Sequence, residues 1–537
     1  MNENQEISPF HGGDQQRHEW IIILVLFLLS FISLLLRLKL ATFPFEDAAM
    51  LMRYAKHLAE GHGIVWNIGE GPVDGATDFG FMVIIAGLVR LGLDMERAAI
   101  LPGMLGHFVI IILLYFVPRR LFNSNPWLCL FPSLWIAFGP GIFYSSAYFG
   151  TSLFAASALI AWTLAYLYME RGGFGAAAAF AFASLACGLI RPEGVILCTL
   201  FLISILVRMG IKQSKPALFW FTAVFAVLGG AYFLWRWRYF GHPLPNPYYK
   251  KGGGELHLNG LIASLTGVFT LSWPFLAWTV SWFFPLKRTR EGLANLIPVA
   301  GFTLVWVLMS QEMNTEYRFQ YPVIPVFLLA WPRAAGLVMD RLFARPWLGS
   351  PLRRRAAVAL IFVAAFICLD VQYVMNERWR DGREGRVEVA KALAAYRDKK
   401  YSMAVTAAGN LPLYSDWIAI DAWGLNDAYI AHHGMITDDY MDQYKPELIM
   451  FNAPWRPNEP FSEDTPWRKM GAVLHGYAEK KGYVLAAVWS LDGQSCHWYY
   501  VRPGFEDSDA IIGIIRSIDY RWGMHGRKAK RFFPPRD

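Results

Sequence analysis

The sequence predicts a polytopic all-α membrane domain of about eleven transmembrane helices, followed by an extracytoplasmic α/β domain. Three observations carry that expectation. Apolar stretches long enough to cross a bilayer recur through the first 373 residues. The loops between them fall into a uniformly basic set and a set that holds the acids. After Val374 charges become frequent, and short β-branched or aromatic runs appear. Composition agrees: of 537 residues, 55% are hydrophobic and only 17% charged, where a soluble domain carries about a quarter.

The first span covers residues 20–40 (WIIILVLFLLSFISLLLRLKL), and a hydrocarbon core needs roughly 20 apolar residues. No small-residue cleavage site follows, so it is not a removable signal. Residues 43–78 are too polar for lipid. Residues 79–93 are apolar but short for a crossing, and read as an interfacial or re-entrant helix. That reading makes Arg119 and Arg120 cytoplasmic, as the positive-inside rule prefers. Further spans fall near 97–117, 126–145, 150–168, 173–190, 193–208, 217–236, 258–285, 293–310, 320–340 and 356–373.

Arg171, Arg208, Lys212, Lys215, Lys287, Arg288, Arg290, Arg353, Arg354 and Arg355 then join the arginine pair inside. Glu46, Asp47, the Arg191-Pro192-Glu193 turn and the loops at 236–251 and 311–320 lie outside. The expectation is a bacterial inner-membrane protein with a cytoplasmic amino terminus and a carboxyl-terminal domain on the outer side. The net charge of +8 thus belongs to cytoplasmic loops, not to a nucleic-acid surface. Four of the five cysteines sit in apolar segments and Cys496 stands alone, which excludes a disulfide framework and zinc-type spacing in the outer region.

The division expected is 1–373 for the membrane domain, with 43–95 as its first outer loop, and 374–537 for the outer domain. Strands are expected at 402–406, 417–421, 447–451, 483–489 and 497–501, and a helix over 381–397.

Residues 47–60 form an amphipathic helical pattern with Met50, Leu51, Tyr54 and Leu58 on one face and a stop at Gly61. Glu46 and Asp47 stand at its start, where acids either cap the helix or do chemistry. Arg191 and Glu193 form a charged turn between two apolar spans, either a local salt bridge or a functional pair. Arg318 sits at the outer mouth of another span. Guanidinium groups fork onto phosphate oxygens, so acids for proton abstraction and arginines for phosphate share one face. His57 and His62 lack a third ligand and read as packing or surface residues. Trp235, Arg236 and Trp237 read as an interfacial belt.

At these residues the chain resembles the AftB-like arabinofuranosyltransferases, members of the GT-C glycosyltransferase superfamily. The motifs are residues 45–70 (FEDAAMLMRYAKHLAEGHGIVWNIGE), 73–81 (VDGATDFGF), 189–197 (LIRPEGVIL), 238–251 (RYFGHPLPNPYYKK), 316–325 (EYRFQYPVIP) and 407–415 (AAGNLPLYS). The resemblance implies a GT-C fold and transfer of a sugar, D-arabinofuranose, from a polyprenyl-phosphate donor of the decaprenyl type. The acceptor it implies is a cell-surface glycan, lipid or protein on the outer face of the membrane. It implies Asp47 as the catalytic acid, with Glu46 in the preceding acid's place as assistant or nucleophile. It implies a donor-phosphate and substrate set of Arg191, Glu193, Arg318, His242, Tyr248, Tyr249, Lys250, Arg53 and Asp78. No cofactor is required by the pattern, and a divalent cation stays open.

Three positions depart from the family pattern: Gly150 where relatives carry Glu, Ser310-Gln311-Glu312 where they carry Gly-Gly-Asp, and Glu46 where they carry Asp. These bear on sugar and acceptor identity rather than on reaction class. The alternatives are a mannosyl- or aminoarabinosyl-type transferase of the same superfamily, or a lipid-linked sugar transporter. A transporter usually shows a repeated half and midplane charges, whereas here the charges gather at one face.

Overall fold

In a computed structural model, residues 12–38, 43–251, 253–276, 289–346, 350–377, 384–457, 459–522 and 526–534 are described. Seven of the described helices are long and apolar enough to cross a membrane: Met95–Phe122, Pro126–Ser146, Thr151–Arg171, Ile211–Phe240, Arg290–Leu308, Val323–Phe343 and Pro351–Met375. The Gly12–Leu38, Phe174–Ile190, Glu193–Met209 and Leu258–Leu276 helices occupy the remaining expected spans. Residues 277–285 of the 258–285 span, with Lys287 and Arg288 beyond them, lie outside the described residues. Val227, Leu228 and Leu234 on one long helix, and Leu360, Val363 and Phe366 on another, are exposed. So much bare apolar surface is stable only against lipid.

Phe79–Arg90 is a 12-residue helix. At 1.5 Å per residue it reaches about 18 Å, short of the roughly 30 Å core, and it packs against the Glu46–Ala59 helix.

The carboxyl-terminal domain, expected on the outer side and called the outer domain for that reason, is built on β1 (Ser402–Val405), β2 (Ile418–Asp421), β3 (Leu448–Ala453), β4 (Val484–Ser490), β5 (Cys496–Val501), β6 (Arg521–Trp522), β7 (Arg527–Lys528) and β8 (Lys530–Phe533). Six strands form one sheet in the order β2-β1-β3-β5-β4-β8, while β6 and β7 pair separately. β1 runs parallel to both β2 and β3, whereas β5 is antiparallel to β3 and β4, and β8 to β4. All five expected runs are strands. They read cleanly because the central ones are buried on both faces and are therefore nearly all apolar.

The first outer loop holds this sheet by its edge. Asn67 completes the β2 edge with its amide, accepting from Ala419 N at 2.9 Å and donating to Ala419 O at 3.0 Å. Trp66 donates to the same carbonyl at 2.8 Å. Arg53, 3% exposed, gives its guanidinium to the carbonyls of Trp66, Pro412 and Trp417 and to Asn67. Burial lowers its pKa to about 10.

Candidate functional site

The helix that carries the acid pair begins at Glu46, with Phe45 at its N-cap and no side-chain cap hydrogen bond. No side-chain cap is therefore made, although both acids stand in the first turn, where their charge favours the helix dipole. Glu46 faces the outer domain, where its carboxylate accepts from Gly409 N at 2.7 Å, Asn410 N at 3.0 Å and Asn410 Nδ2 at 2.8 Å. It also pairs with Arg386 at 3.1 Å. A side chain at residue 409 would lie 2.6 Å from the Glu46 carboxylate, so only glycine lets this backbone approach.

Asp47 turns the other way and pairs through Oδ2 with Arg318 Nη2. Its Oδ1 has no hydrogen-bond partner among the described residues. Arg318 is 6% exposed, lies over the Phe149 ring at 3.9 Å and has no hydrogen-bond partner for Nε among the described residues. It follows Glu316 and Tyr317, both at positive φ (52° and 59°), a conformation uncommon for such residues. Strained backbone of this kind clusters where a side chain must be aimed.

Arg191 makes the bridge within its turn and one beyond it. Nη2 meets Glu193 Oε1 at 3.0 Å, Nε meets Oε2 at 3.3 Å, and Nη1 meets Asp78 Oδ2 at 3.3 Å. Burial works against the charged guanidinium, but the Asp78 and Glu193 carboxylates outweigh it and raise its pKa. Burial likewise raises the Asp78 pKa, with Arg191 opposing.

Two cavities meet at these residues. The first, of about 400 Å³, is lined by Asp78, Arg191, Glu193, Arg236 and Tyr248, with an apolar wall that includes Ile196, Leu244, Trp306 and Leu308. The second, of about 600 Å³, lies under the outer sheet and is lined by Glu46, Arg386, Asn452, Trp467 and His497, among others. Asp47, Arg318, Lys251, Met50, Phe149 and Leu425 line both. The Asp47–Arg318 pair thus stands on the boundary between a membrane-edge chamber and a chamber under the outer domain.

Of the expected set, Asp47, Asp78, Arg191, Glu193, Arg318 and Tyr248 reach the first cavity, and Glu46 reaches the second. Arg53, His242, Tyr249 and Lys250 line neither. Arg53 is consumed by backbone carbonyls. His242 stacks on His432 at 3.9 Å, Tyr249 packs on His432 at 4.4 Å, and Lys250 lies over Trp423 at 4.5 Å and bonds Gly434 O.

The short helix Asn246–Lys250 explains the split. Residues three apart share a helix face, so Tyr248 and Lys251 point inward while Tyr249 and Lys250 point to the outer domain. Lys251 escaped the sequence reading. Among the described residues it is the one cation on either cavity wall with no ion pair, since Arg236 is matched by Asp74 at 2.6 Å. Gly150 is explained by packing: a Cβ there would sit 2.9 Å from the Phe81 ring. No group of three or more metal-ligating side chains occurs among the described residues.

A helical membrane part with buried charges at one face, topped by an α/β sheet, is one class of membrane-protein fold. Within that class the chain superposes on the crystal structure of ArnT from Cupriavidus metallidurans in the apo state. The TM-score is 0.56 at 14% identity, over 90% of this chain and 98% of that one. ArnT from the same organism bound to undecaprenyl phosphate gives 0.54 at 14% identity, over 90% and 99%. The arabinofuranosyltransferase AftD from Mycobacteria gives 0.49 at 13% identity, over 90% and 40%. Residues 373–504 match a family model described as a domain of unknown function, DUF8728. No curated protein matches the chain.

Proposed function

We propose that this protein is a membrane glycosyltransferase that moves a sugar, D-arabinofuranose by the loop resemblance, from a polyprenyl-phosphate donor to a cell-surface acceptor at the outer face of the inner membrane. One observation carries the reading: the Asp47–Arg318 pair sits where the two cavities join. The membrane-edge cavity has an apolar wall for a prenyl chain and an unmatched lysine for a phosphate. The ArnT fold, seen with undecaprenyl phosphate bound, supports a lipid phosphate as the ligand.

The acceptor hydroxyl attacks the anomeric carbon, the bond from that carbon to the phosphate oxygen breaks, and the hydroxyl proton passes to Asp47 Oδ1. The lipid phosphate leaves with the electron pair, so it needs cations rather than an acid. Lys251 and Arg318 supply them. Arg191 already faces two carboxylates, so its part is to hold Asp78 and Glu193 in place beside the phosphate. Glu46 has its oxygens engaged with Gly409, Asn410 and Arg386 and positions the outer domain instead of attacking.

Mass spectrometry of lipid-linked sugars in cells lacking the gene tests the reading. A pentose-linked polyprenyl phosphate should accumulate. Accumulation of a hexose- or aminopentose-linked carrier would replace the sugar, and an unchanged carrier pool would remove the transferase assignment.

A further inference from the structure

Arg318 stands at the end of a turn whose backbone needs outside support. Met313, Glu316 and Tyr317 are all at positive φ (61°, 52° and 59°), a conformation disfavoured for residues with a side chain. Such a segment keeps its shape only where its surroundings over-determine it. Its own side chains do part of this. Asn314 accepts from Phe319 N at 3.0 Å and donates to Gln320 Oε1 at 2.8 Å, which closes the turn across its mouth.

The centre of the turn is held from the membrane part. Tyr144 Oη donates to the Glu316 carbonyl at 2.6 Å, toward the short end of the range for a hydroxyl donor. Tyr144 is fully buried, and its ring packs edge-on against Tyr321 at 4.9 Å, so the hydroxyl has little freedom to turn away. Tyr144 lines neither cavity. Any part it takes in the chemistry therefore runs through another residue.

The same segment reaches Arg318 a second time. Tyr144 lies in the helix Gly141–Ser146, and its carbonyl accepts from Phe149 N at 3.0 Å. Tyr148, between them, is at positive φ (67°), and the Phe149 ring that follows lies 3.9 Å from the guanidinium. Residues 144–149 thus grip one arginine at both ends, by a hydroxyl on the backbone before it and a ring against its head. A free arginine side chain samples many rotamers. Two grips select one direction, and in that direction stands Asp47 Oδ2. A phenol that merely filled space would need its ring and not its hydroxyl.

We infer that Tyr144 is a positioning residue whose hydroxyl holds the left-handed turn at 316–317, so that Arg318 meets Asp47 and the lipid phosphate. The inference rests on the transferase reading for what Arg318 does once aimed.

A double-mutant cycle on the full chain in detergent tests it, with wild type, Tyr144→Phe, Arg318→Ala and the double variant. Undecaprenyl phosphate binding is read by calorimetry, with size-exclusion elution as the check on folding. Tyr144→Phe keeps the ring and loses only the donor, and should weaken binding about threefold or more. Arg318→Ala should weaken it roughly tenfold or more. In the Arg318→Ala background the Phe substitution should cost nothing further, because residues that act through one partner do not add. In cells, Tyr144→Phe should accumulate lipid-linked sugar as loss of the gene does. The inference is overturned if wild type binds no undecaprenyl phosphate, or if Tyr144→Phe binds it as wild type does. It is overturned equally if the two losses add in full or if Tyr144→Phe fails to fold, since either makes the hydroxyl merely structural. A carrier pool unchanged by loss of the gene removes the transferase reading, and the binding cycle still decides for or against Tyr144.

Discussion

Lys251 has no described carboxylate within ion-pair distance, yet it lines both cavities. A charge-assisted hydrogen bond to a phosphate contributes about 1.5–3 kcal/mol. Lys251→Met should therefore raise the donor KM about tenfold or more, with an unchanged thermal melt. An unaltered donor KM would place the phosphate elsewhere. Arg191→Ala should act differently, because it leaves Asp78 and Glu193 buried without their cation, a loss of about 3–5 kcal/mol. The check is a lower melting temperature and yield in size-exclusion chromatography, and a normal melt would remove its structural role.

Asp47, Arg191 and Arg318 could be picked out in the sequence because charges at the mouth of apolar spans rarely persist without work to do. Lys250 and Lys251 could not be told apart there, since the choice depends on where a five-residue helix ends. The partners of Arg53 were not legible for another reason: the carbonyls of Pro412 and Trp417 lie 359 and 364 residues away, beyond any local pattern.

The Glu46–Ala59 helix works as a double-sided clamp, with Asp47 toward the cavities and Glu46, Arg53 and Lys56 toward the outer domain. His57 lies in the same helix, 2% exposed, with Nδ1 3.0 Å from Val65 O. Burial, and then the charge of Arg53, lower its pKa to about 4. The unfolded chain takes up this proton near pH 6.5 and the folded chain only near 4. Stability from His57 is therefore full above pH 6.5 and is lost as pH falls toward 4, on the order of 3 kcal/mol. Asp421 runs the other way, because burial raises its carboxyl to about 6. Comparing acid melts of wild type with His57→Gln isolates the histidine: the variant should show a flatter acid limb, and an equal slope would contradict its buried neutral state.

At this scale the sequence was most legible where one rule dominates. Short length together with the positive-inside rule identified Phe79–Arg90 as not crossing, and short β-branched or aromatic runs identified β1 to β5. β8 is half basic and borrows its strand character from pairing with β4, so nothing local announces it.

Across the whole molecule, a helical membrane part and an α/β sheet enclose two chambers that share one acid–base pair. The orientation expected from the basic loops has a direct check. Lys215 and Glu255 are both exposed, while four of the native cysteines are buried and Cys368 is partly so. In intact cells a cysteine at 255 should react with an impermeant thiol reagent and one at 215 should not. The reverse labelling would put the chambers on the cytoplasmic side.

The central claim is that Asp47, at the junction of the chambers, accepts the proton of the acceptor hydroxyl. Asn at this position keeps the size and a hydrogen-bonding oxygen but cannot take the proton, and no helix cap is lost because none is made. The decisive measurement is sugar transfer from a polyprenyl-phosphate donor by purified Asp47→Asn protein, alongside undecaprenyl phosphate binding and the thermal melt. The account predicts transfer lowered by roughly a hundredfold or more with binding retained, and wild-type transfer by the variant would contradict it.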